Sequence, residues 1–354
     1  MGSTKTNPGN YFEDFKLGQV LNHATPRTIT EGDVSLYTAL YGGRFALQSA
    51  DSFAIDCGLQ AAPIDDLLVF HIVFGKTVPD VSLNAVANLG YADVRFLAPV
   101  YPGDSVQTTS EVIGLKENSN GKTGVVYVRS TGTNQLGEVV LDYVRWVMVR
   151  KKDVDAPAPE TVLPDLPEVV DPANFQLPAD LDFSNVDATL SGSPHFFDDY
   201  DVGEKIDHVD GMTIEEAEHM MATRLYQNTA KVHFNQHMMK DDRMGRRLIY
   251  GGHIISLARG LSFNGLGNAF FIGAINGGSH TAPTFAGDTI FAWSEVLDKA
   301  DIPGRSDAGA LRIRTLGVKN ATCEDFPDKG EDGKRDPNVV LDLDYWVILP
   351  KATV

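Results

Sequence analysis

Cysteine occurs only twice in the 354 residues, as Cys57 and Cys323. Two are too few for a disulfide framework or a thiolate zinc site, and they suit a reducing, cytoplasmic compartment. Basic residues are also scarce: 30 Lys and Arg against 48 Asp and Glu leave a formal charge of −18. Such a chain lacks the basic footprint of a nucleic-acid binder and of a polybasic membrane anchor. An anionic ligand would need a local basic pocket. Long apolar runs are missing too. The most apolar stretch, LLVFHIVFG at 67–75, is too short to span a bilayer and carries His71. The opening residues MGSTKTNPGNYF have no apolar core of the kind a secretory signal needs, so a soluble protein is expected. No Gly-rich phosphate loop, HExxH or CxxC occurs, and no metal or redox cofactor is expected.

What remains is ordinary globular composition, 43% hydrophobic and 22% charged, in a length that suggests about two domains. The two domains are visible as an internal repeat. YFEDFKLGQVLNH (11–23) overlays FFDDYDVGEKIDH (196–208) at a spacing of 185, and Thr28, Ile29, Glu31, Leu40 and Tyr41 continue onto Thr213, Ile214, Glu216, Leu225 and Tyr226. NAVANLG (84–90) meets NAFFIGA (268–274) and APVYPGDSV (98–106) meets APTFAGDTI (282–290) at a spacing of 184; Asp142 and Trp146 meet Asp342 and Trp346 at 200. The second half has gained about 16 residues, assigned to the polar stretch 323–338, a surface loop. A repeat this long is a duplicated domain rather than a solenoid unit, whose period is roughly 20–50 residues. The expected units are 1–150 and 195–354. Between them, 151–194 is a linker, with Pro157, Pro159, Pro164, Pro167, Pro172 and Pro178 excluding regular helix and central strand.

Each half fits one scheme. Residues 30–42 have an N-cap threonine and helical apolar spacing. Residues 63–78 form a second helix, apolar on nearly every side and therefore buried. Strands follow at 84–97, 104–115, 122–134 and 138–150, punctuated by Pro-Gly-Asp at 102–104 and Gly-Glu at 137–138. Short turns between consecutive strands give an antiparallel sheet, so the class is α+β.

A buried helix and an antiparallel sheet, doubled in one chain, resemble the double hotdog. YQNTAKVH (226–233) is similar to the S-G-D-x-N-P-x-H pattern of the MaoC-like dehydratases, the R-specific enoyl-CoA hydratases. In that register Gln227, Asn228, Ala230 and His233 take the places of the family's Gly, Asp, Asn and His. PVYPGDS (99–105) and PTFAGDT (283–289) resemble the family's P-V-x-P-G-D-T, and LIYGGHIISLARG (248–260) its glycine-led helix entry. YFEDFKLGQ, LLVFHIVFGKTVPD and TGVVYVRSTGTNQ resemble, more narrowly, its mesaconyl-CoA hydratase branch. The resemblance implies a lyase that reversibly hydrates a branched enoyl-CoA, 2-methylfumaryl-CoA, to β-methylmalyl-CoA, with coenzyme A as part of the substrate. Such chains often pair further, so a homodimer is expected.

Hydrating an enoyl thioester needs a base for water, an acid for the α-carbon and donors for the thioester oxyanion. His233 is the base candidate. Gly252, with Gly251 beside it, is the oxyanion candidate, because the first N–H groups of a helix lack intrahelical partners and glycine admits close approach; two glycines could equally serve helix packing. Asn228 departs from the family, since an amide can orient water but cannot act as a base. Either His233 carries both roles, or Asp65, Asp66 or His71 on the first half's buried helix supplies the acid; aspartates there are also simply good helix starters. The first half has Gly43 and Gln48 at the positions of Asn228 and His233, which implies one active site per chain. Arg243, Arg246, Arg247, Lys231 and Arg259 are candidates for phosphate or carboxylate binding, or a solvated charge cluster. The competing readings are a hydratase of other enoyl-CoA thioesters, a thioesterase, and a non-catalytic acyl-CoA binder.

Overall fold

The computed structural model describes residues 5–352. The first half runs β1 (Val20–Thr28), α1 (Glu31–Tyr41), α2 (Asp66–Thr77) and β2 to β5 (Ala85–Phe96, Ser105–Glu117, Thr123–Thr133, Val139–Arg150). The second repeats it as β6 (Lys205–Thr213), α3 (Glu216–Leu225), α4 (Gly251–Leu261) and β7 to β10 (Phe271–His280, Thr289–Asp301, Ala308–Lys319, Val339–Pro350). All strand pairs are antiparallel and merge into one ten-stranded sheet ordered β1-β3-β4-β5-β2-β7-β10-β9-β8-β6. The halves join at β2 and β7, where Tyr91 pairs with Gly278 and Val94 with Ile275. The repeat's extra residues sit in the β9–β10 connection, 320–338, against 134–138 between β4 and β5.

Local signals explain the elements. Thr30 caps α1 by accepting from the Asp33 N–H, and Asp65 caps α2 by accepting from Leu67. Every residue of α2 from Leu67 to Thr77 is buried, as its all-round apolar face requires. Full burial of each such Leu, Ile or Phe contributes about 1.5–3 kcal/mol, which far exceeds the intrinsic propensity of a short helix. The edge strands β1 and β6 and short helical turns at Ala46–Ser49 and Asp51–Asp56 had no counterpart in the sequence reading. Residues 151–194 cross the surface, held by a bridge between Leu115 and Val162 and by Phe175 against Trp346.

Equivalent residues of the two halves meet at their junction. Tyr226 donates its hydroxyl to that of Tyr41 at 2.7 Å, and His71 bonds Ser256 at 2.9 Å; each pair is separated by the repeat spacing. The helices α2 and α4 thus lie side by side about a pseudo-twofold axis. Gly75 and Gly260 are a third equivalent pair. A Cβ on Gly75 would stand 1.9 Å from the Tyr226 carbonyl oxygen, and one on Gly260 would stand 2.4 Å from that of Tyr41. Glycine is therefore set by backbone approach across the junction. Gly75→Ala would stabilise a free helix by about 1 kcal/mol. Here it is expected to destabilise by about 3 kcal/mol, because overpacking must push back the Tyr226–Asn228 backbone. Urea denaturation gives the sign.

Candidate active site

A cleft of about 330 Å³ opens between the halves. The second half contributes Asn228, His233, Gly251 and His280; the first contributes Phe74, Asn88, Tyr91 and Arg145. Its polar groups are few and mostly rest on rigid elements, as ligand sites require.

The segment carrying Asn228 and His233 leaves α3 through Gln227, whose φ of +53° turns the chain. Asn228 is 5% exposed, and its Oδ1 accepts from the Ala230 N–H at 3.0 Å. That bond engages Oδ1 and leaves the two Nδ2 donors without a partner among the described residues. His233 Nδ1 lies 2.9 Å from the Leu248 carbonyl oxygen. A carbonyl can only accept, so Nδ1 carries the proton and Nε2 keeps a lone pair. Burial pushes the His233 pKa down to about 4, against the Leu248 bond, which raises it. At neutral pH His233 is therefore an uncharged imidazole with its free nitrogen defined.

Gly251 begins α4 and lines the cleft. Its missing side chain admits His280, whose Nε2 would stand 2.3 Å from a Cβ there. Gly252, one residue on, is buried against Tyr250 and the His71 ring rather than on the cleft wall. Burial holds the His280 pKa near 4, with His233 adding to the shift, and its Nε2 has no hydrogen-bond partner.

The other sequence candidates lie apart from this cleft. Asp65 caps α2, and Asp66 accepts from the Ile272 N–H at 2.7 Å while burial raises its pKa to about 8. Neither lines the cleft wall, and among the described residues no carboxylate does. His71 is wholly buried between α2 and α4, one ring behind the cleft through Tyr250. Arg259 sits eight residues along α4 from Gly251, roughly 12 Å away at helical rise, over the Phe45 ring. Arg247 pairs with Glu216; Arg243 and Lys231 are exposed, and Arg246, also exposed, lies over Phe285. Lys231 and Arg246 adjoin rim residues, since Ala230, Val232 and Thr284 line the cleft.

His280, Arg145 and Asn88 escaped the sequence reading. Each breaks the repeat: Phe96 occupies the position of His280, Tyr345 that of Arg145 and Ile272 that of Asn88. Comparing the halves for polar substitutions at apolar positions would have found them.

Two hotdog units with one histidine-bearing cleft define a MaoC-like dehydratase architecture. A crystal structure described as a putative MaoC domain protein dehydratase from Chloroflexus aurantiacus superposes with a TM-score of 0.97 at 66% identity, covering 99% of this chain and 100% of that one. A conserved Mycobacterium tuberculosis protein with a double hotdog fold superposes at 0.73 with 26% identity, covering 97% and 99%. The family model for mesaconyl-CoA hydratase matches residues 2–323. Among curated relatives, β-methylmalyl-CoA dehydratase of Chloroflexus aurantiacus is 66% identical over 99% of both chains, and mesaconyl-CoA hydratase of Cereibacter sphaeroides is 60% identical over 98% of this chain and all of its own. The chain belongs to the mesaconyl-CoA hydratase family, and it is a hydro-lyase.

Proposed function

We infer that the protein catalyses the reversible hydration of mesaconyl-CoA to β-methylmalyl-CoA. The observation that carries the mechanism is His233, held neutral with Nδ1 on the Leu248 carbonyl and Nε2 free on the cleft wall. Nε2 takes a proton from water as the water oxygen bonds to the β-carbon. The π electrons move onto the thioester as an enolate. The N–H group of Gly251, at the start of α4 and on the cleft wall, receives its oxyanion, while Gly252, the other sequence candidate, packs behind it. The enolate then collapses and takes back the proton from His233 at the α-carbon, which restores the neutral base. One residue serves both steps because no carboxylate lines this wall. Asn228 Nδ2 orients the water. Lys231 and Arg246 at the rim suit the phosphates of coenzyme A.

The cytoplasmic location and the homodimer belong to the same proposal. Free, buried Cys57 and Cys323 support a reducing compartment, and static light scattering gives the subunit count.

The test is ultraviolet absorbance of the conjugated thioester. On adding protein, the mesaconyl-CoA signal is expected to fall to a plateau short of completion, while crotonyl-CoA, which lacks the α-methyl and has a methyl in place of the carboxylate, reacts at least tenfold more slowly. Equal rates would make this a general enoyl-CoA hydratase. No change in either signal would refute the reading.

A further inference from the structure

Arg145 is fully buried on β5. It shares the inner face of that strand with Leu141, Tyr143 and Val147, so it interrupts an otherwise apolar or aromatic row. Among the described residues it has no carboxylate partner. Its recorded hydrogen bonds go to neutral hydroxyls: Nη2 to Thr77 at 2.6 Å and to Ser82 at 3.3 Å, and Nη1 to Ser82 at 3.4 Å. Its Nε has no partner at all. The guanidinium stands 4.3 Å over the Phe74 ring and borders the cleft. Burying a full charge this way is costly unless something compensates it. Burial lowers its pKa, and the groups facing it, Tyr143, Tyr91 and Tyr250, are phenols whose own pKa values burial raises, so they are neutral.

The same cleft holds further unsatisfied polar atoms. Both amide atoms of Asn88 are buried without a partner. The second half builds the same unit without either residue. At the equivalent places the second half has Tyr345, whose hydroxyl meets Thr315 at 3.0 Å, and Ile272. The first half thus placed an arginine and an asparagine where they face the cleft carrying His233.

We propose that Arg145, with Asn88 beside it, binds the distal carboxylate of a dicarboxylic acyl thioester. This rests on the hydratase reading for the acyl chain, and it assigns the first half a specificity role. The planar fork has free N–H donors for a carboxylate, and a charge pair made in a dry pocket satisfies both partners at once. The coenzyme A phosphates are left to the exposed cations of the rim. Binding at Arg145 positions the double bond but takes no part in proton transfer, so Arg145 is a binding residue.

Saturated thioesters test this without hydration chemistry. 2-Methylsuccinyl-CoA and 2-methylbutyryl-CoA differ by a carboxylate in place of a methyl group, and isothermal titration calorimetry gives the affinity of each. Wild type is expected to prefer the first by about thirtyfold or more. Arg145→Met should bring the ratio close to one while affinity for 2-methylbutyryl-CoA stays within about threefold of wild type. Arg145→Lys keeps charge and length but loses the fork; its ratio should fall about tenfold, and it decides the matter if Arg145→Met does not fold. The proposal is overturned by a wild type without the preference or by variants that retain it. Variants that weaken on both thioesters together also overturn it, placing Arg145 on a phosphate or in the scaffold. Failure of the hydratase reading itself shows separately, in the absorbance assay.

Discussion

His233→Ala is expected to lower kcat for hydration of mesaconyl-CoA by about a thousandfold, within the 10²–10⁴ range of a positioned acid–base group. The size follows from the double use of one imidazole. Nε2 activates water in one step and returns the proton in the next, and no carboxylate on the cleft wall can replace it. The KM should move little, because the coenzyme A moiety and the acyl carboxylate are bound elsewhere. Dehydration of β-methylmalyl-CoA must lose the same factor in kcat/KM, since a catalyst cannot shift the equilibrium. His233→Asn separates chemistry from scaffolding. Its amide nitrogen overlays Nδ1 and can still donate to the Leu248 carbonyl, so it should fold like wild type while remaining nearly as inactive as alanine. A His233→Ala protein that keeps more than a tenth of wild-type kcat would end the mechanism.

The histidine was legible because the YQNTAKVH register survives in the sequence and the structure brings Asn228 and His233 to one wall. The repeat was legible because it runs at nearly constant spacing, and the turn signals at 102–104 and 137–138 placed the strands β2 to β5 within a residue or two. Other parts were not legible, for physical reasons. β1 has one buried residue, His23, so no alternation marks it, and Pro26 is tolerated only because the strand lies on an edge. Arg145 and Asn88 belong to the half that carries no base, and their position on the cleft depends on how α2 and β2 pack across the junction. Nearness in sequence to His233 pointed to Arg243, Arg246, Arg247, Lys231 and Arg259 instead. None of these lines the cleft: Arg243 and Arg246 are exposed and Arg247 is paired with Glu216 on the 235–247 excursion, Lys231 is exposed beside the rim, and Arg259 lies far along α4.

The fold itself should be acid-labile, losing stability steeply as pH falls below about 6.5. Burial lowers the pKa of His208, His233 and His280 to about 4, of His71 and His253 to about 3 and of His219 to about 2; His23 is also lowered. Each is neutral in the folded protein and free to take a proton once unfolded, where its pKa is about 6.5. Between those values the unfolded chain binds more protons, so stability rises with pH. It is fully present above 6.5 and drains away as pH drops toward 4. Each histidine costs about 1 kcal/mol over the first pH unit. The costs add, because the protons are bound by independent residues of the unfolded chain. Six or seven acting together approach the whole stability of an ordinary domain, about 5–15 kcal/mol. Asp66, raised by burial to about 8, and Asp65, also raised, work the other way, since each holds a proton in the fold that the unfolded chain releases. Two groups offset part of the loss without reversing it. Urea midpoints measured from pH 8 to 5 should therefore stay nearly level at first and then fall steeply below 6.5. His253→Gln, at a site 1% exposed and bonded to Tyr41, should reduce the steepness by one proton. A midpoint that stays level down to pH 5 would mean that these imidazoles are already charged in the fold. His233 would then have no claim to be a neutral base.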